Sequence, residues 1–363
     1  MKNTFGNAIT VTLFGESHGS AIGAVLDGLA PGIKIDKEYI AAKLEQRKAK
    51  GKISTKRQEA DEFKILSGVF NGYTTGTPLA IIIENKDVRS ADYDTLGRMA
   101  RPSHADLTAH YKYGGYEDFR GGGHFSGRLT APLVAVGAIL MKALEEKGIY
   151  IGTHIKKCYD VCDREFDCYM DDIKALSTMA FPVLCGDQAE AMIKNIETAS
   201  SEGDSLGGIL ETAVIGMPKG VGEPWFDSVE SMLSHAMFSI PAVKAVEFGA
   251  GFDMANMKGS EANDSFMYVD GEIITKTNNN GGINGGITNG MPMIFRLAVK
   301  PTPSIFKEQE TVDFEIRENI TVNLVGRHDP AIVHRARAVV DAMTAITLAD
   351  MLTVRFGTNY LSE

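Results

Sequence analysis

The apolar positions of this chain fall into short alternating runs and a few longer clusters, and turn residues mark where they stop. Ala8 to Phe14 is rich in β-branched and apolar residues and ends at Gly15, which predicts a strand feeding a turn. Asp36 is placed to cap a helix running to about Lys48, with Ile40 and Leu44 on one face. Leu79 to Glu84 reads as a buried strand. Thr130 is placed to cap a helix through Ala131 to Lys147, with Gly148 just past its end; apolar nearly all round, that helix is expected to be deeply buried. Asp187 to Ser201 has a helical pattern and Gly207 to Ile215 that of a strand. Asp227 and Glu230 fit a capping box for a helix ending near Pro241. Met291 to Val299 reads as a strand, and the Ala-rich run Ala331 to Leu352 as a long helix ended near Gly357.

These elements mix without regular βαβ alternation and without a short repeat period, which predicts α+β layers of sheet and helix. Length alone suggests two or three domains, but no Ser/Pro-rich linker divides the chain, so one large domain over 1–363 is expected. Ile155 to Cys185 is acidic, Cys-bearing and weakly periodic, and reads as a peripheral insertion at about 155–186.

Charge narrows the function. The formal net charge is −10, so the chain repels nucleic acid and anionic membrane unless a local basic patch intervenes. An anionic small molecule would have to meet clustered Arg and His in a cleft. Met1 to Gly6 has no apolar signal core, and the longest apolar stretch, Ala131 to Met141, is too short to span a bilayer, so a cytoplasmic location is expected. Cys158, Cys162, Cys168 and Cys185 form no C-x-x-C pair; His154 precedes Cys158 by four residues, but the second half of a zinc pattern is missing, and no metal is expected.

Four stretches carry candidate chemistry. Arg101 to Thr130 packs Arg101, His104, Asp106, Lys112, Arg120, His124 and Arg128 among many glycines. Arginine forks match phosphate and carboxylate oxygens, and glycine lets backbone N–H groups approach a ligand. Gly121 to Gly123 stand ahead of the predicted helix, where anions are favoured; a loop of solvated charges would also fit the composition. Gly15-Glu16-Ser17-His18-Gly19 follows the first strand and offers a histidine for proton transfer, although a turn histidine can equally be structural. Asn278 to Gly290 suits either a flexible linker or close approach to a flat ring, and Lys300-Pro-Thr-Pro-Ser304 follows the next strand. In Gly326-Arg-His-Asp-Pro330, Arg327 can bind an anion, and Asp329 can take a proton or pair with a helix dipole. A nucleophile elbow, a P-loop and a clean G-x-G-x-x-G after a strand are all absent. The Gly-rich loops alone also admit a nucleotide-dependent transferase.

GESHG at 15–19, KILSGVF at 64–70, TTGTP at 74–78, RP-x-HAD at 101–106, KYG at 112–114 and D-x-RGGG at 118–123 occur in this order, followed by EGDSLGG, VEFG, GGITNG, KPTPS and GRHDP. Together they resemble the chorismate synthase family over roughly residues 5 to 355. The resemblance implies a β-α-β sandwich and conversion of 5-enolpyruvylshikimate-3-phosphate to chorismate and phosphate. The reaction is an anti-1,4-elimination that needs reduced FMN without net redox change. It implies that His18 supplies a proton to the leaving phosphate, that His104 protonates or stabilises the reduced flavin, and that Asp329 is the base beside flavin N5. Arg47, Arg101, Arg128 and Arg327 correspond to the arms holding the substrate's phosphate and carboxylates. His124, Phe125, Ser126, Pro241, Ala242, Gly285, Lys300, Pro301, Thr302, Pro303, Ser304 and Arg327 fall at positions lining the FMN. A homotetramer is also implied. Some relatives reduce their flavin with NADP-type nucleotides; with no added domain visible here, an external flavin reductant is expected. The chain departs from the family pattern where His124 and Phe125 replace Arg and Ser, Leu129 replaces an acid, Ser103 a Gly, Pro241 an Asn and Lys52 an Arg. A flavin- or phosphate-binding relative without turnover is therefore the alternative.

Overall fold

The computed structural model describes residues 2–48, 51, 53–54, 60–86, 99–324 and 328–363. Arg327 and Lys52 lie outside the described residues.

Two antiparallel five-stranded sheets enclose a helical layer. The first runs in the order Thr4–Phe5, Thr10–Gly15, Ala21–Asp27, Leu79–Glu84, Phe63–Ile65. The second runs Val243–Phe248, Met293–Val299, Gly208–Ile215, Tyr150–Cys158, Val161–Cys162. Eight helices accompany them among the described residues: α1 (Lys37–Arg47), α2 (Asp106–Tyr113), α3 (Thr130–Glu146), α4 (Tyr169–Leu176), α5 (Gly186–Ser201), α6 (Val229–Phe238), the single turn α7 (Gly259–Ala262) and α8 (Val333–Phe356). Helix α3 packs on the first sheet, α8 on the second, and the two helices pack on each other, giving the expected α+β layers.

The layering follows from the sequence. Strand Met293–Val299 alternates buried and part-exposed positions, so one face meets α8's layer. Helix α3 is apolar nearly all round because it is covered on several sides; positions 337–353 of α8 are also buried without a break, although they include the charged Arg337, Asp341 and Asp350. Gly137 lets them close: a Cβ there would lie 2.4 Å from that of Ala342. Counted with the 3₁₀ turns ahead of it, 120–146 is long and apolar enough to cross a membrane, but 83% of its apolar window is buried within the protein. The N-terminal turn is pinned to α8 by Asp350, whose carboxylate accepts the N–H groups of Asn7, Ala8 and Ile9 at 2.9, 2.7 and 2.9 Å.

Several expected boundaries shift for local reasons. Asp36 caps α1 by accepting from the Tyr39 N–H at 2.9 Å, as the pattern predicts. Thr130 does not cap α3; it is the first residue of the helix, and its hydroxyl donates to the Gly127 carbonyl at 2.7 Å. Ser126 instead caps the 3₁₀ turn Gly127–Leu129. Ser228, not Asp227, caps α6, because Asp227 is already in a preceding 3₁₀ turn. The first part of the expected insertion is sheet: Ile155–Cys158 complete the strand Tyr150–Cys158, paired along Gly208–Ile215. His154, in that strand, lies between carboxylates: Asp163 Oδ2 is 2.8 Å from Nδ1 and Glu211 Oε1 is 3.0 Å from Nε2. All four cysteines are free, and burial pushes the Cys158 thiol up to about 11, which leaves it unreactive.

Candidate active site

The turn after strand Thr10–Gly15 starts the site. Gly15 has φ +99, and a Cβ there would sit 2.5 Å from the Ala21 carbonyl oxygen, so only glycine lets the chain turn away from its neighbour strand. The turn is fixed from two sides. Ser17 N–H donates to the Gly123 carbonyl at 3.0 Å, and His124 Nδ1 donates to the Gly15 carbonyl at 2.8 Å. Asn85, the residue after strand Leu79–Glu84, donates to the carbonyls of Glu16 and Gly19 at 3.0 and 2.9 Å. His18 is thereby buried with its ring against Gly121, where a Cβ would approach the ring to 2.2 Å. The glycine run Gly121–Gly123, all at positive φ, wraps the histidine turn rather than opening α3, which begins only at Thr130. The glycines stand ahead of α3, as expected, but the 3₁₀ turn Gly127–Leu129 separates them from its first residue.

Asn85 also connects this turn to a buried charge cluster, since its Oδ1 accepts from Arg128 Nε at 3.2 Å. Arg128 belongs to the 3₁₀ turn ahead of α3, and Arg47 is the last residue of α1. Both guanidiniums meet Asp61: Arg47 Nη2 donates to Oδ2 at 2.7 Å and Arg128 Nη1 donates to Oδ1. Burial pushes the Asp61 carboxyl up, but the two arginines outweigh it and hold it below the usual range. Asp61 is thus the carboxylate that the two arginines share. Arg335, on α8, then donates to the Arg47 carbonyl at 2.9 Å and to Asp329 Oδ2 at 2.6 Å. One chain of contacts thus runs from the His18 turn through Asn85, Arg128, Asp61, Arg47 and Arg335 to Asp329.

His104 forms the other half. Its Nε2 lies 2.7 Å from Ser304 Oγ. Burial, with Arg101 next, pushes its pKa down to about 4, so it is neutral at physiological pH. Arg101 is held bidentately by Asp106 at 2.7 and 2.7 Å. Ser103 has φ +62, the left-handed region that explains why glycine is usual there, and its carbonyl accepts from Lys300 Nζ at 2.6 Å. The Lys300–Ser304 segment is tied down further. Lys300 N–H donates to the carbonyl of Ala242, which follows Pro241, at 2.9 Å, and Ser205 Oγ donates to the Thr302 carbonyl at 2.6 Å. Thr302 is flanked by Pro301 and Pro303, which stiffen the segment. Leu206 N–H donates to the Pro330 carbonyl at 2.8 Å, which carries Asp329 beside it. His328 faces Phe306 at 5.5 Å between centroids, and burial and Arg101 lower its pKa.

The structure therefore joins His18, Arg47, Arg128 and Asp329 in one network, and Arg101, His104, Ala242 and Lys300–Ser304 in another that adjoins it through His328 and Pro330. Ser126 spends its hydroxyl on the Arg128 N–H, and Phe125 lies partly exposed, edge-on to Tyr113 at 6.0 Å. Gly285 stands apart: it is the exposed turn between Ile283–Asn284 and Ile287–Thr288, and among the described residues nothing lies within 4 Å of where its Cβ would be. Sequence reasoning missed Asp61, Asn85 and Arg335. Asn85 could have been flagged by its place at a strand end. Arg335 is six residues past Asp329, beyond the motif that drew attention to it. Asp61 has no local signal, because its partners come from elements far away in sequence.

Comparison with known proteins identifies the family. A family profile described as Chorismate synthase matches residues 9–353. A chorismate synthase from Pyrococcus abyssi is 47% identical over 351 residues, covering 96% of this chain and 97% of the relative. One from Thermococcus kodakarensis is 46% identical over 352 residues, with 96% and 97% covered. One from Chitinophaga pinensis is 45% identical over 357 residues, covering 98% of each. A crystal structure of a chorismate synthase superposes with a TM-score of 0.78 at 29% identity, over 98% of this chain and 95% of the other. With motifs, layers and relatives in agreement over nearly the whole length, the chain belongs to the chorismate synthase family of carbon–oxygen lyases.

Proposed function

We propose that this chain converts 5-enolpyruvylshikimate-3-phosphate to chorismate and phosphate by anti-1,4-elimination, with reduced FMN bound and no net change in redox state. The observation that carries this reading is the buried assembly of Arg47 and Arg128 around Asp61, tied through Asn85 to the turn that holds His18. In a protein of net charge −10 such an assembly suits a polyanionic substrate.

The residues fit a flavin. Ser17 Oγ, Thr302 Oγ1 and His328 Nε2 are buried with no hydrogen-bond partner among the described residues, as expected of groups completed by a ligand. His104, Ser304 and Lys300 supply further polar atoms, with Pro241, Ala242 and Pro301 to Pro303 as stiff apolar backing. His124, Phe125 and Ser126 would border the cofactor. Reduced FMN, when bound, supplies electron density as the carbon–oxygen bond breaks. His18 donates a proton to the departing phosphate. Arg47, Arg101, Arg128 and Arg327 hold the substrate's anionic groups; Arg101 does so once it shares or leaves Asp106. Neutral His104 donates or accepts a hydrogen bond without adding charge, and Asp329 takes a proton, held in place by Arg335. Burial of these groups excludes water and strengthens each interaction.

Exposed Trp225 and Phe226, near the Gly285 hairpin, support assembly into a homotetramer, which would cover them. An external reductant in the cytoplasm, rather than an NADP site on this chain, completes the reading.

The test is anaerobic turnover with dithionite-reduced FMN, chorismate being followed by absorbance. Product that requires reduced FMN supports the reading. Flavin and substrate binding without product would favour the binding-only relative, for which the replacement of permanent arginine charge by His124 is the motivating observation.

A further inference from the structure

We propose that Asp61 is the positioning residue that sets the spacing and aim of the two substrate arms Arg47 and Arg128; this rests on the proposed function. One carboxylate divides its oxygens between them, Oδ2 to Arg47 and Oδ1 to Arg128. The arms come from different elements, the end of α1 and the turn before α3, so the backbone alone does not fix their separation. Two guanidiniums buried side by side repel in a low-dielectric setting. Asp61 removes that repulsion and converts it into a fixed fork. Its side chain is fully buried, and its backbone sits at φ +51, in the left-handed region that aspartate tolerates better than most side chains. Arg47 Nε, buried and without a partner among the described residues, is the donor this arrangement leaves for a ligand. Asn85 repeats the device at a distance: it aims Arg128 Nε and fixes the His18 turn with the same side chain. Removal of Asp61 would loosen the arms while making the pocket more positive, and these effects act in opposite directions on anion binding.

That opposition gives the test. Binding of 5-enolpyruvylshikimate-3-phosphate and of inorganic phosphate is measured by calorimetry without flavin, for wild type, Asp61→Asn and Asp61→Glu, with Tm recorded for each. Positioning predicts that Asp61→Asn weakens substrate on the order of 10- to 100-fold, because a large ligand needs both arms placed. Inorganic phosphate, which needs only charge, should bind as well or better. Asp61→Glu, which keeps the charge but moves it by one methylene, should weaken substrate at a temperature below its melt, with Tm lowered only modestly, so the proposal remains testable if the Asn variant does not fold. In reduced-FMN turnover the loss should appear in KM more than in kcat. Substrate and phosphate affinities that move together, tighter or weaker, would overturn the proposal, as would an unchanged substrate affinity in Asp61→Glu. Wild-type turnover checks the proposed function separately: absent turnover with the affinity split intact sinks that function and leaves the positioning role. Wild type that binds neither ligand sinks both.

Discussion

His104 and Ser304 meet at 2.7 Å although 200 residues separate them in the chain. The contact orients an imidazole that burial keeps neutral, with its pKa pushed down to about 4. His104→Ala is predicted to cut turnover roughly 10²- to 10⁴-fold, the range for lost acid–base assistance, and Ser304→Ala by less, since it removes only orientation. A folded-state pKa below the usual value means protonation is resisted in the native protein, so His104 costs stability only as pH falls below about 6.5 towards 4. The rate profile of the wild type should show no His104 break between pH 5 and 7. Such a break that disappears in His104→Ala would contradict the assignment.

His18 depends on a glycine. His18→Ala should lower turnover strongly, in the same range. Gly121→Ala should mimic it, because the new Cβ would meet the His18 ring at 2.2 Å and the φ of +59 disfavours any side chain. The measurement is turnover beside a thermal melt. Normal turnover in a folded Gly121→Ala protein would show that the ring's place does not matter.

Asp329 and Arg335 are paired at 2.6 Å. Asp329→Asn should impair turnover with the fold intact, since the pair lies near the start of α8 and not within its buried middle. Arg335→Met should do so partially, by removing one partner each of Asp329 and of the Arg47 carbonyl. Unchanged rate with both ligands bound would reduce Asp329 to a helix-end residue.

His154 predicts a pH dependence of stability away from the site. Burial opposes its charge, but hydrogen bonds from both ring nitrogens to Asp163 and Glu211 outweigh it, and its pKa is raised. Its contribution should be complete below about pH 6.5 and fade as pH rises through the higher folded-state value. His154→Ala leaves buried Asp163 short of a cation, while Glu211 keeps Arg296 at 2.5 Å, and should cost roughly 3–5 kcal/mol. Tm recorded from pH 5 to 9 should show wild type and variant converging at the alkaline end; a constant gap would refute the linkage.

Much of the fold was legible because period and punctuation are local. Strand Leu79–Glu84 falls where it was expected, and α1 with its Asp36 cap and α8 with its Gly357 stop agree within a residue or two. What local pattern misses is partnership across the chain. Ile155 to Cys185 read as an insertion because it is acidic, Cys-bearing and weakly periodic, but its first residues pair into the sheet, next to His154, which is buried among carboxylates. Of the residues named from motifs, the structure brings His18, Arg128 and Asp329 into one network and Arg101, His104 and Lys300–Ser304 into another, while Gly285 stands apart; Asp61 and Arg335, whose contacts come only from what folds onto them, were not named.

Asp350 has a consequence for synthesis. The carboxylate that receives the Asn7, Ala8 and Ile9 amides lies more than 340 positions downstream of them. A ribosome delivers the first sheet early and its fastening almost last, so a nascent chain holds that edge open for most of its translation. A product stopped at Ile332, before α8, is predicted to aggregate or be degraded; pulse-labelling such a truncated chain beside the full one, and finding both equally soluble, would show that the opening strands can close without the end of the message.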